Sequence, residues 1–142
     1  MKNSTAWKIS LATVLMSFLT VTFVFAQRTD QRRGQPRYDP ATEATVTGIV
    51  QEVKQVSGSM GWGGTHLILD TDAGAFDVHV GPSAFLAEKG FSFAKGDRIE
   101  VTGSKVKYEA ADALIAREVK KGDKVLTLRN AKGFPVWSRR NR

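Results

Sequence analysis

From Thr42 onward the chain is a succession of short runs in which apolar and polar residues alternate, separated by glycine and aspartate turns. A period of two marks half-buried strands, because successive side chains leave opposite faces of an extended backbone. Ala44 to Val56 predicts a first strand whose apolar phase changes near Gly48 and Ile49, as in a bulged, curved strand. Ser57 to Gly64 breaks the pattern with Gly58, Gly61, Gly63 and Gly64 around Met60 and Trp62, which predicts a loop tipped by two large apolar groups. Thr65 to Thr71 and Ala75 to Gly81 read as a hairpin closed by Asp72-Ala73-Gly74, with Leu67, Leu69, Phe76, Val78 and Val80 on one face. Pro82 opens and Gly90 closes a helix of about two turns bearing Phe85 and Leu86. Phe91 and Phe93 plug the core ahead of a Lys95-Gly96-Asp97 turn. Arg98 to Tyr108 and Ala113 to Val119 predict strands four and five, and Lys124 to Arg129 a short sixth. The tail from Gly133 to Trp137 is expected to pack back on the fold, since Phe134, Val136 and Trp137 would otherwise be exposed.

Three strands, one short helix and two further strands is the order of an all-β, five-stranded OB-like Greek-key barrel, here with a short extra strand at its C-terminal end. Gly48 in a curved first strand, the run Gly96-Asp97-Arg98-Ile99-Glu100-Val101-Thr102-Gly103 and the segment Ile115-Ala116-Arg117-Glu118-Val119 resemble the small exported OB-type domains of bacteria. Some of those carry a DNA-binding label through their fold. The resemblance covers Thr42 to about Arg129. It implies architecture and export and brings no catalytic residues with it.

Ahead of the barrel, residues 1–26 have the form of an export signal: Lys2 and Lys8, an apolar run from Ile9 to Phe25, and Val24-Phe25-Ala26 as a cleavage site. Cleavage leaves 116 residues, a periplasmic or secreted chain with no membrane span. The alternative is a retained anchor, because the apolar run just reaches spanning length. Residues 27–41, with Pro36, Pro40 and four arginines, read as a disordered basic linker to the domain at 42–137, and residues 138–142 as a basic tail. The absence of cysteine excludes disulfides and thiolate metal sites, so an exported domain must hold itself together by packing. The net charge of +7 suggests nucleic acid, yet between Thr42 and Trp137 twelve Lys and Arg stand against twelve Asp and Glu. The excess lies in the ends, which argues against nucleic acid as the partner of the barrel body.

Candidate chemistry converges on one face. If Leu67, Leu69, Phe76 and Val78 turn inward, His66, Ile68, Asp77 and His79 turn outward, and a tight turn sets His66 opposite His79. These are the two histidines of the chain. In OB barrels this wall of strands two and three binds ligands, flanked by the loops after strand one and between strands four and five. Those loops are expected to bring Trp62 and Met60 from one side and Tyr108 with Lys105 or Lys107 from the other. One reading is a recognition surface in which Trp62 and Tyr108 stack on a small molecule or glycan while His66, Asp77, His79 and Lys107 give hydrogen bonds. The other is a copper or zinc site of His66, His79 and Met60. Single-stranded nucleic acid or another anionic polymer is a further alternative, and a docked protein another. Catalysis is not expected: Ser57, Ser59 and Ser83 lack a strained nucleophile turn, and Asp70 and Asp72 flank a hairpin as turn formers. The expectation is therefore a monomeric binding domain and not an enzyme.

Overall fold

The computed structural model describes residues 36–58 and 63–138. The segment expected to be an export signal, Met60, Trp62 and the basic tail from residue 139 lie outside the described residues. Six strands form one sheet: β1 (Glu43–Val56), β2 (Gly64–Thr71), β3 (Gly74–Gly81), β4 (Arg98–Tyr108), β5 (Ala111–Lys121) and β6 (Lys124–Thr127), with helix α1 (Ser83–Glu88) between β3 and β4. Their order is β3-β2-β1-β4-β5-β6, and a parallel pairing of β3 with β5 closes the first five into the expected OB-like barrel. β6 hangs outside on β5.

Strand β1 serves two partners. Its first half pairs with β4 and its second half with β2, the two ladders overlapping at Gly48 and Ile49. A Cβ at Gly48 would lie 2.2 Å from the Asp70 carbonyl oxygen, so only glycine permits the crossing. The bulge itself falls between Val50 and Glu52, slightly later than the phase change suggests. There Val50 donates its N–H to Asp97 and accepts from Gly96, each at 2.8 Å, which ties the Lys95-Gly96-Asp97 turn to the bend.

The β2–β3 turn closes with Thr71 opposite Gly74, as the pattern predicts. Helix α1 ends in a Schellman motif: Gly90 (φ +62°) donates to Ala87 and Phe91 to Leu86, both at 3.0 Å. The turn between β4 and β5 carried no sequence signal, because Glu109 and Ala110 take the left-handed conformation (φ +49° and +67°) where glycine or asparagine would be usual. Strand β5 consequently starts two residues ahead of its predicted Ala113.

The barrel is filled by Val50, Leu67, Leu69, Val78, Val101, Leu114 and Val119, and Phe85 and Leu86 of α1 cap it. Its weakest seam is the β3–β5 closure, three residue pairs long, ending at His79 and Ile115. Beyond it, Arg129 donates to the carbonyls of Val80 (3.5 Å) and Ala116. The guanidinium is 4 % exposed, sits 5.2 Å from the Trp137 ring, and has no carboxylate in ion-pair range among the described residues. Burial pushes its pKa down to about 10, which still leaves it charged at neutral pH. It bridges two strands just past their ladder, its charge held by backbone carbonyls.

Ordered contacts begin upstream of the predicted domain start. Asp39 caps a 3-10 turn at Pro40–Thr42 and donates its N–H to Ser104 Oγ at 3.0 Å. The Tyr38 hydroxyl donates to Glu43 Oε2, which also accepts from Arg117 Nε at 2.9 Å, while Arg117 Nη2 donates to Glu43 Oε1 at 2.8 Å. At the other end, residues 128–136 form a hairpin in which Asn130 Oδ1 accepts from the N–H groups of Lys132 and Phe134. The tail packs back through Trp137, 5.3 Å from the Phe85 ring. Phe134 and Val136 differ from expectation: they remain 48 % and 38 % exposed, because alternate residues of the hairpin strand face opposite sides.

Candidate ligand site on the outer wall of strands two and three

His66 and His79 stand directly opposite each other across the β2–β3 hairpin, in the register that alternation predicts. Asp77 lies one position further along the same outer face, opposite Ile68. The three side chains form a hydrogen-bonded chain: His66 Nδ1 to Asp77 Oδ1 at 2.7 Å, and His66 Nε2 to His79 Nδ1 at 3.0 Å. A carboxylate only accepts, so His66 donates through Nδ1. A neutral His66 ring then carries its lone pair on Nε2 and accepts from His79 Nδ1–H. One carboxylate thereby fixes the tautomer of two rings in sequence.

Both imidazoles are 1 % exposed. The wall expected to be wet is instead covered at this point, which corrects the sequence expectation of a solvated pair. The neighbouring strand explains the environment: in the parallel ladder Asp77 lies beside Ala113 and His79 beside Ile115, both buried. Tyr38, Val106 and Tyr108 pack on that pair as a second apolar cluster outside the barrel. Solvent reaches the chain through Asp77, whose side chain is 31 % exposed.

The other expected site residues are distributed differently. Tyr108 shares the outer face, in the apolar cluster. Lys107 is directed to the opposite face by alternation and is ion-paired with Asp112, its cross-strand partner on the same hairpin. Lys105 lies over the Phe76 ring, 5.7 Å from its centroid. A two-imidazole bite on copper or zinc is not the arrangement observed, since both ring nitrogens of His66 are engaged in hydrogen bonds. Among the described residues no group of three or more His, Asp or Glu side chains is placed to hold a metal ion.

The residues that sequence did not single out are Tyr38, Glu43, Arg117 and Arg129. Arg117 and Glu43 hold each other charged, the ion pair lowering the Glu43 carboxyl and raising the Arg117 guanidinium. Burial, then the Glu43 hydrogen bond, push Tyr38 up to about 12. Their partners are 74 residues apart in the chain for Glu43 and Arg117, so no local pattern announces them.

The fold and this wall define a small OB-like β-barrel domain with a carboxylate–imidazole–imidazole chain beside its closing seam, its two rings buried and its carboxylate partly exposed. The chain belongs to the MamS/MamX magnetosome protein family, whose model matches residues 42–126, from the 3-10 turn to β6. It is 27 % identical over 106 residues to magnetosome protein MamS of Paramagnetospirillum magneticum and 28 % identical over the same length to magnetosome protein MamS of Magnetospirillum gryphiswaldense. Each match covers 73 % of this chain, and the chain spans 59 % of the length of these curated relatives. Neither relative's description speaks of DNA. Among the described residues no helix is long and apolar enough to cross a membrane.

Proposed function

We infer that this domain works at the magnetosome as an exported, non-enzymatic binding module whose ligand contact is the outer wall of β2 and β3. The observation carrying this reading is the Asp77–His66–His79 chain. A buried polar network contributes little net stability over apolar packing, and it orders three side chains on the wall that OB barrels use for ligands. Asp77 is its accessible end and offers acceptor oxygens to a hydroxyl, amide or ammonium group. An organic ligand or glycan suits this end better than a chelated copper or zinc ion, because the relay occupies His66.

Native mass spectrometry of the chain purified from an exporting host tests the reading. The wild-type protein is expected to retain an organic adduct that a His66→Ala/His79→Ala double variant loses. Bare mass in both proteins sinks the proposal, and an adduct of one copper or zinc atom replaces it with the metal reading.

A further inference from the structure

Further along the edge of β5 that β3 occupies, β6 is the last strand of the sheet and is paired on one side only. Leu128 donates its N–H to Arg117 of β5, so in an antiparallel ladder Leu126 shares that direction, and Val125 and Thr127 turn their N–H and C=O groups outward. Among the described residues no strand covers that edge between Lys124 and Thr127. Directly beside it lies a groove of about 400 Å³ lined by Val125, Leu126 and Thr127 of β6, by Phe85 of α1 and by Lys89, Phe91 and Val136. Three consecutive strand residues line it, so the groove follows the backbone edge of β6 and not one face of the strand. Val125 is 55 % exposed and Val136 38 %, and both line the groove.

A groove lined by an open strand edge and by a helix is the geometry of strand addition. An incoming extended segment would meet the outward groups of Val125 and Thr127 with its backbone and set alternate side chains on Phe85, Phe91 and Val136. Charge states the partner's chemistry. Lys89 is the charged residue of the groove, and the adjoining recess of about 50 Å³ adds Lys124 beside Phe91, while its other lysine, Lys121, is already ion-paired with Asp97. Among the described residues neither is lined by a carboxylate. Two copies of this chain meeting edge to edge would bring these lysines together, which disfavours self-association.

We propose that the edge of β6 and the facing side of α1 form a docking groove for an extended segment of another protein, apolar at alternate positions and acidic between them. This surface is independent of the β2–β3 wall.

The test titrates the full mature chain with a fluorescein-labelled short peptide alternating valine with aspartate and glutamate, followed by polarisation and by amide chemical shifts. Binding in the range of about 10–100 µM is expected, with shifts at Val125, Thr127, Phe85 and Lys89. A peptide with lysine in place of the acids should bind at least about tenfold more weakly. Val125→Glu repels the acids, and Thr127→Pro deletes an outward donor while sparing the β5 ladder, so each should weaken binding about tenfold in a protein of unchanged melting temperature. Absence of binding, equal affinity in both variants, shifts confined to the β2–β3 wall, or a concentration-dependent dimer abolished by Val125→Glu each overturns the proposal.

Discussion

Arg129 shows how one residue can decide whether a barrel closes. The parallel β3–β5 ladder is the shortest in the fold, and Arg129 donates to the Val80 and Ala116 carbonyls just beyond its end. One guanidinium nitrogen, Nη1, donates to both carbonyls. Replacement by methionine keeps the apolar stem and deletes the donors. Arg129→Met is expected to destabilise the domain by about 3 kcal/mol through the loss of its hydrogen bonds to two buried carbonyls. Urea unfolding measures this, and a midpoint equal to wild type would show that the guanidinium contributes nothing net. In the sequence Arg129 occupies what alternation makes an outward position after Leu126 and Leu128, so nothing local marks it as buried. The histidines are the converse case. Their facing register follows from Thr71 and Gly74 alone, but their burial depends on residues contributed from other strands.

Among the elements, the strap of residues 38–42 ties the start of the domain to β4 and β5. Its anchor is the Tyr38 hydroxyl on Glu43, itself held by Arg117. The phenol pKa is raised from 10.0 to about 12 on folding, so its neutral form is favoured in the folded state. The stabilisation is then complete below the unfolded value and disappears as pH rises through the folded one. At neutral pH wild type should exceed Tyr38→Phe by about 1 kcal/mol. The difference should shrink between pH 10 and about 12. Thermal midpoints of the two proteins across that window test it, and a constant difference would remove the hydroxyl from the account. For Glu43 the sign is opposite: its carboxyl is lowered by Arg117, so that contribution is present at neutral pH and fails on acidification. The strap's segment looked like linker because Pro36, Pro40 and arginines dominate it; one tyrosine finding Gly133 and the Ala113–Ile115 pair outweighs that composition.

For the molecule as a whole, the C-terminal hairpin seals one end of the barrel. Trp137 covers Phe85 and stacks on Arg129, so the tail shields the residue that latches the seam. A chain ending at Lys132 should fold with about 2–3 kcal/mol less stability, judged from the loss of a partly buried tryptophan. Circular dichroism during urea unfolding would register the shift, and an unchanged midpoint would make the tail a dispensable docking segment. The same molecule separates two surfaces: a wall holding the His66 relay, and a groove at β6 on which Val125 and Val136 leave apolar area exposed. Family membership covers the barrel that supports both.

Alternation of apolar side chains by itself determined the strands, the turn at Asp72-Ala73-Gly74, the helix ended by Gly90 and hence the OB-like order, because a pleated backbone and a left-handed cap are local demands written in consecutive residues. It set His66 opposite His79 on condition of a tight turn, where a looser loop would shift the pairing by one, and the structure supplies the tight turn with Thr71 opposite Gly74. The tertiary structure alone decided that these rings are buried, that Arg117 finds Glu43, and that Arg129 reaches the Val80 and Ala116 carbonyls. Each of those outcomes rests on contacts between segments far apart in the chain, whose free energy depends on which faces the closed barrel brings together.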